Sequence, residues 1–297
     1  MLGFAQLTLP SDVYHRNYDY NLENPNFPFR EQCFVGIVSL SDPPRDSVPY
    51  SVLKCQAAGI KVIMVTGDQP VTATSIARQC HIITETKTVN EIADERKISL
   101  EEAFPLSEAI VIHGDLLTQM ALDDEGLPES EQGKKLQKWL SKKEIVFART
   151  SPAQKLIIVK GCQRMDHIVA VTGDGVNDSP AIKKADIGIA MGITGTDVAK
   201  DAADMVLLND DFSAIVIGVE EGRRIFDNLK KAICYVMTSQ ISEIAPFIGL
   251  VIFNFPVPVS PIILLYIDLG TDLIPAISFA YEEAELDLMT RKPRPKD

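Results

Sequence analysis

The chain has 297 residues, 46% hydrophobic and 24% charged, which suits one or two globular domains and excludes wholesale disorder. Asp and Glu number 41 against 29 Lys and Arg, a formal charge of −12 with no basic face to offset it, so nucleic acid is excluded as a partner. Five scattered cysteines (Cys33, Cys55, Cys80, Cys162, Cys234) without a CxxC pair exclude a disulfide scaffold, and His15, His81, His113 and His167 form no HxxxH pair for a metal.

The first ten residues lack the basic and apolar regions of a signal peptide. Residues 1–32 read as loop, rich in Asn, Pro and Phe without periodicity. From Cys33 short β-branched runs alternate with helical patterns. Strands are expected at 34–39, 61–66, 109–113, 144–148, 167–172 and 187–190, and helices at 47–58, 71–80, 131–142, 152–164 and 179–184. Continuous apolar strands separated by helices predict an α/β fold with a parallel sheet covered on both faces, its ligands at the carboxyl ends of the strands. The charged stretches 85–106 and 123–143 read as solvated helices and loops.

After Asp211 the pattern changes. Residues 220–231 form a charged helical stretch, and 232–255 and 261–281 are apolar segments of about 20 residues, long enough to cross a bilayer as helices. The proline-rich Asn254-Phe-Pro-Val-Pro-Val-Ser-Pro261 makes them a tight hairpin. Lys230 and Lys231 before it, and Arg291-Lys-Pro-Arg-Pro-Lys296 after it, place both flanks on the cytoplasmic side.

Three strand ends carry unusual chemistry. Val65-Thr66-Gly67-Asp68 closes one strand, with Asp68 and Pro70 suited to start a helix. Thr172-Gly-Asp-Gly-Val-Asn-Asp178 closes another; Asp174 and Asp178 beside a glycine turn make a hard-oxygen site suited to Mg²⁺. Lys155 sits in the first turn of the helix that Pro152 starts, where the helix dipole disfavours a cation unless an anion is near. A hydroxyl, a cation and a metal carboxylate together meet the needs of phosphoryl transfer.

Asp42-Pro-Pro-Arg45, Met64-Val-Thr-Gly-Asp68, Thr172-Gly-Asp-Gly-Val-Asn-Asp178 and Lys183-Lys-Ala-Asp-Ile-Gly-Ile-Ala-Met-Gly192 resemble P-type cation-transporting ATPases. Phe226-Asp-Asn-Leu-Lys-Lys231 and Tyr266-Ile-Asp-Leu-Gly-Thr-Asp272 narrow the resemblance to the sodium/potassium- and proton/potassium-exchanging α-subunit family. It implies a tail of the nucleotide-binding domain over 1–32, a haloacid-dehalogenase-like phosphorylation domain over 33–221, a stalk with membrane helices five and six over 222–283, and a basic cytoplasmic tail over 284–297. The same resemblance implies ATP and Mg²⁺, the latter on Asp174 and Asp178. Lys155 would neutralise the transferring phosphoryl group. Thr66, Gly67, Asp68 and Asn177 would face the phosphate, and Arg45 and Arg149 would reach ATP or hold the hinge to the nucleotide domain. The family's phosphorylated Asp-Lys-Thr-Gly-Thr does not occur in these 297 residues. It would lie in the remainder of a pump chain, in a multi-pass protein of the plasma membrane with a possible β subunit.

Glu243 in the first span, and Asp268 and Asp272 four apart in the second, would cost roughly 8–10 kcal/mol at membrane depth without a compensating cation. Gln240 lies one turn from Glu243, and Gly270 and Pro275 can free backbone carbonyls, so Gln240, Glu243, Asp268 and Asp272 are the expected cation ligands. Ser239 and Asp268 resemble the sodium-type pumps, not the proton type, which places lysine and glutamate there. Gln240 and Ser242 depart from the family's usual Asn and Pro. A helix over about 222–253, roughly 45 Å long, would link the two sites. The alternatives are a proton/potassium or other P-type pump, a non-catalytic truncated product, and a membrane-anchored phosphatase of the same fold.

Overall fold

The computed structural model describes residues 2–21, 24–28, 30, 32–39, 43–121, 131–254, 256 and 259–294. Asp42, much of the charged stretch after Asp123, parts of the hairpin loop (255, 257–258) and the last three tail residues lie outside these. The chain forms two compact units, 1–43 and 44–297.

The first unit contains β1 (Leu2–Gln6) and β2 (Cys33–Val38), paired antiparallel with a bulge between Phe4 and Ala5. The expectation of a buried parallel strand over 34–39 is therefore overturned. Phe34, Val35 and Ile37 are each at least 60% exposed, and the partner is a strand that lay in the stretch read as loop.

The second unit begins with α1 (Ser47–Ala57), β3 (Ile63–Val65) and α2 (Pro70–Gln79). Then come α3 (Val89–Arg96), α4 (Leu100–Ala103), β4 (Ala109–His113), α5 (Gly114–Ala121) and α6 (Glu131–Leu140). β5 (Glu144–Ala148) and α7 (Pro152–Arg164) follow. The three strands form one parallel sheet in the order β3-β5-β4. Alternation along each strand divides its side chains between two cores. Ile110, Ile112, Ile145 and Phe147 pack with Leu117, Leu136, Trp139 and Leu140 on one face. Val111, Val146 and Ala148 pack with Ala73, Ala77 and Cys80 on the other. Both faces are covered, as continuous apolar strands require.

Local sequence sets the helix ends. Thr88 and Glu91 form a capping box on α3, and Ser151 and Gln154 another on α7, whose first residue is Pro152. The stretch read as solvated around residues 85–106 contributes Val89, Ile92, Ala93 and Ala103 to the core.

A second parallel sheet holds β6 (Ala170–Gly173), β7 (Ile187–Met191) and β8 (Met205–Leu207) in that order. Its connections are α8 (Ser179–Lys184) and α9 (Asp197–Ala202), with Ile182, Ala190 and Ala199 at the centre. Six parallel strands are thus divided into two sheets, and β3 and β6 each pair on one side only among the described residues.

The chain then enters α10 (Ser213–Phe253), 41 residues and about 60 Å long. It starts nine residues before the expected stalk and continues through Pro246. Asn254, at φ +53°, ends it in the left-handed region that asparagine tolerates. α11 (Pro261–Ile267) passes through a π-helical turn at Asp268–Asp272 into α12 (Leu273–Ser278). Both apolar segments, within Ser213–Phe253 and Ile262–Tyr281, are long and apolar enough to span a membrane, and their most apolar stretches are not buried by the rest of the chain.

Candidate functional site

The phosphate-type residues gather at the carboxyl ends of β3, β5 and β6. After β3, the Thr66 hydroxyl donates to Asp68 Oδ2 at 3.0 Å and accepts from the Asp68 N–H at 3.1 Å, folding the turn on itself. Thr66 is half-buried, while Gly67 and Asp68 are exposed. The loop after β5 locks onto this turn. Thr150 N–H and Oγ1 both donate to the Thr66 carbonyl at 3.0 Å, and Arg149 N–H donates to the Asp68 carbonyl at 2.9 Å. Arg149 adopts φ +57°, an unusual conformation for a non-glycine residue, and its carbonyl lies so close to Gly114 that a side chain there would collide.

From that loop α7 carries Lys155 to Asp178, Nζ to Oδ1 at 2.5 Å. Both side chains are mostly buried, 21% and 13% exposed, so this ion pair is less screened than a surface one. Asp178 Oδ2 also accepts from the Gly175 N–H at 3.3 Å. A Cβ on Gly173 would stand 2.5 Å from Asp178 Cβ, so the close approach needs glycine. Asp174 and Asn177 project exposed side chains from the same turn, which Thr196 N–H braces through the Asp174 carbonyl at 2.9 Å. Arg45 is held elsewhere: its Nη1 donates to the Asp210 carbonyl at 2.8 Å and the Asn209 carbonyl at 3.5 Å, at the entry to α10.

The second gathering lies on the apolar hairpin. One carboxylate oxygen from each of Glu243, Asp268 and Asp272 falls within 4.8 Å of the others. Gln240 Nε2 donates to Asp268 Oδ1 at 3.2 Å. The Tyr235 hydroxyl donates to Asp272 Oδ1 at 3.4 Å, and Thr271 Oγ1 donates to it at 3.2 Å. Glu243 Oε2 is buried with no hydrogen-bond partner. A cavity of about 290 Å³ opens beside it, lined by Tyr235, Thr238, Ser239, Ser242, Glu243, Ile267 and Asp272. Three converging carboxylates with one buried, unanswered oxygen suit a hard cation, which takes oxygen ligands.

The structure thus brings together the four residues expected to ligate a cation. Tyr235 went unnoticed in the sequence, although its spacing of four and eight residues from Ser239 and Glu243 puts it on their face of α10. Ser242 takes no part in a helix break: its hydroxyl donates to the Thr238 carbonyl at 3.2 Å, one turn back along a continuous helix.

Contacts tie the base of the hairpin to α1 and to the segment that follows the second span. Arg223 on α10 donates to the Ala58 carbonyl at the end of α1, and to the carbonyls of Leu288 and Arg291, all at 2.8–2.9 Å. Arg291 pairs with Asp227 of α10 at 2.8 Å as well as with Glu285 and Asp287. Lys231 pairs with Glu282 at 2.7 Å. The segment after the second span therefore folds back on the base of the first.

Residues 256–297 match the family described as cation transporting ATPase, C-terminus. The chain is 56% identical over 296 residues to the sodium/potassium-transporting ATPase subunit alpha-2 of Homo sapiens, covering 99% of this chain and 28% of that protein. It is 56% identical to the alpha-4 subunit of Rattus norvegicus, with the same coverage. Against the potassium-transporting ATPase alpha chain 2 of Oryctolagus cuniculus it is 55% identical over 299 residues, all of this chain and 26% of that one. The chain spans little more than a quarter of the curated relatives it matches. Along nearly all of its own length, with the glycine-turn carboxylates and the hairpin carboxylates on one chain, it is homologous to sodium/potassium- and potassium-transporting ATPase alpha chains.

Proposed function

We propose that this chain is the phosphate-handling and cation-binding segment of an ATP-driven pump of the sodium/potassium-exchanging type, acting through an aspartyl phosphate. One observation carries the reading: the Lys155–Asp178 pair at the strand ends and the Glu243–Asp268–Asp272 cluster belong to a single unit, linked by α10.

The acceptor aspartate comes from outside these residues. β3 and β6 supply a place for it, since each has an edge unpaired among the described residues and ends in one of the two phosphate-facing turns. A parallel strand added to either edge would deliver its carboxyl-terminal residue beside Thr66 or Asp174. Lys155 then balances charge developing on the phosphoryl oxygens, and the Thr66 hydroxyl and Gly67 N–H donate to them. Arg149, exposed on the loop locked to Asp68, would reach ATP or hold the hinge to the nucleotide domain. Mg²⁺ fits the donor set, because Asp174 and Asp178 offer hard oxygens and the Gly173 cradle holds Asp178 close to the turn. When bound it would supply positive charge that screens the phosphate.

Ser239 is a small neutral side chain at the cavity wall, leaving the carboxylates to be answered by a mobile alkali cation. That favours sodium and potassium over a proton pump with an internal ammonium. The full pump would include the remaining α-subunit segments and a β subunit, in the plasma membrane.

The test is a graft. This chain replaces the corresponding segment of the human alpha-2 subunit, and acid-stable phosphoprotein from labelled ATP is measured. The graft should phosphorylate, the 297-residue chain alone should not, and Asp174→Asn in the graft should lower phosphorylation at least about 100-fold. Near-normal phosphorylation in that variant would remove Asp174 from the site.

A further inference from the structure

We propose that a cavity at the β4 edge of the first parallel sheet binds an organic anion with a bulky apolar body, an aryl or long-chain acyl carboxylate or sulfonate. The lining reaches Pro70 and Val71 at the start of α2, but does not include Thr66, Gly67 or Asp68 of the phosphate-facing turn before them. Its volume is about 670 Å³, within the range of small-molecule sites. The wall is apolar where it meets the core: Ile110 and Ile112 of β4, Leu116 of α5, and the rings of Phe104 and Trp139.

Its charges are unevenly answered. Arg78 is paired with Glu91 at 2.6 Å and is spent. Lys135 and Lys138, one turn apart on α6, have no carboxylate partner among the described residues. Each is supported by an aromatic face instead, Lys135 by Trp139 at 5.6 Å and Lys138 by Phe104 at 4.7 Å. Cation–π contact leaves the outer side of an ammonium free to meet an anion. Asp94 and Glu101 line the wall from α3 and α4, so the cavity has an anionic side and a cationic side. A negative headgroup is accepted only beside α6, with its apolar body lying over Trp139 and the β4 isoleucines.

Trp139 is the single tryptophan of the chain, so the site carries its own reporter. The full chain, reconstituted in nanodiscs of neutral phosphatidylcholine, is titrated with dansylglycine while energy transfer from Trp139 to the dansyl group is recorded. Dansylcadaverine, with the same fluorophore on a cation, is the matched control. Saturable transfer is expected for dansylglycine, at least tenfold tighter than for dansylcadaverine, a difference of about 1.4 kcal/mol. The double variant Lys135→Gln, Lys138→Gln should lose that preference, and Lys135→Arg, Lys138→Arg should restore it. Linear, non-saturating transfer, equal affinity for the two probes, or an unchanged preference in the glutamine variant would overturn the proposal.

Discussion

Asp178 owes its position to a neighbour without a side chain. At Gly173 a methyl group would press on Asp178 Cβ and pull its carboxylate from Lys155. Gly173→Ala should cost about 1–3 kcal/mol by overpacking, and should also impair phosphorylation of the grafted pump. Urea unfolding and phosphoprotein yield check the two effects; a variant normal in both would mean that the Lys155–Asp178 geometry is not needed. Asp210 offers a pH test of the loop that anchors Arg45. Burial alone raises its carboxyl pKa, but the N–H groups of Ile193, Thr194 and Gly192 outweigh it and hold the value at about 2, against 3.8 for the free side chain. Because the folded value is depressed, the stabilisation is complete above about pH 4 and is lost as pH falls through about 2. Thermal unfolding should therefore decline between pH 4 and 2 more steeply in the native chain than in Asp210→Asn; parallel declines would contradict the assignment. At this scale the strand-end residues were legible because Gly, Asp and Thr at those spacings have few other uses. The role of Arg45 was not, since donation to backbone carbonyls leaves no mark on the sequence of the acceptors.

Elements with strong patterns are legible in the sequence: β4, β5 and α7 run over the residues that periodicity and capping indicate. β8 is three residues long, too short for a pattern, and β2 reads as a core strand only because its apolar run carries no sign of which partner it meets. The π-turn at Asp268–Asp272 depends on a shift of hydrogen-bond phase, with Leu273 N–H reaching the Asp268 carbonyl. Gly270 and Pro275 marked the place for an irregularity and left its form open. The carboxylate cluster rests on that turn and on α10, and α10 is the element proposed to link the two sites. Its anchor is Arg223, bonded at once to the end of α1 and to the returning segment. Arg223→Gln should remove charge-assisted hydrogen bonds, each worth about 1.5–3 kcal/mol. In the grafted pump it should weaken the effect of cations on phosphorylation more than it weakens phosphorylation itself. Proportional loss of both would assign Arg223 to stability alone.

Across the whole molecule, the basic flanks of the hairpin meet acidic partners: Lys231 pairs with Glu282, and Arg291 with Asp227. The two ends of the hairpin are thereby held on one side, in accord with basic residues favouring the cytoplasmic face. The division of the parallel strands into two sheets was not legible, because each strand resembles a central strand and pairing is a property of the fold. In the proposed pump one chain couples phosphate chemistry to cation occupancy through α10. The most direct measurement is ATPase rate against Na⁺ and K⁺ concentration in the grafted pump, alongside Asp272→Asn and Ser239→Lys. Asp272→Asn should abolish cation stimulation while nucleotide binding persists, and Ser239→Lys should weaken potassium dependence as its ammonium enters the space beside the carboxylates. Unchanged cation dependence in both variants would contradict the account.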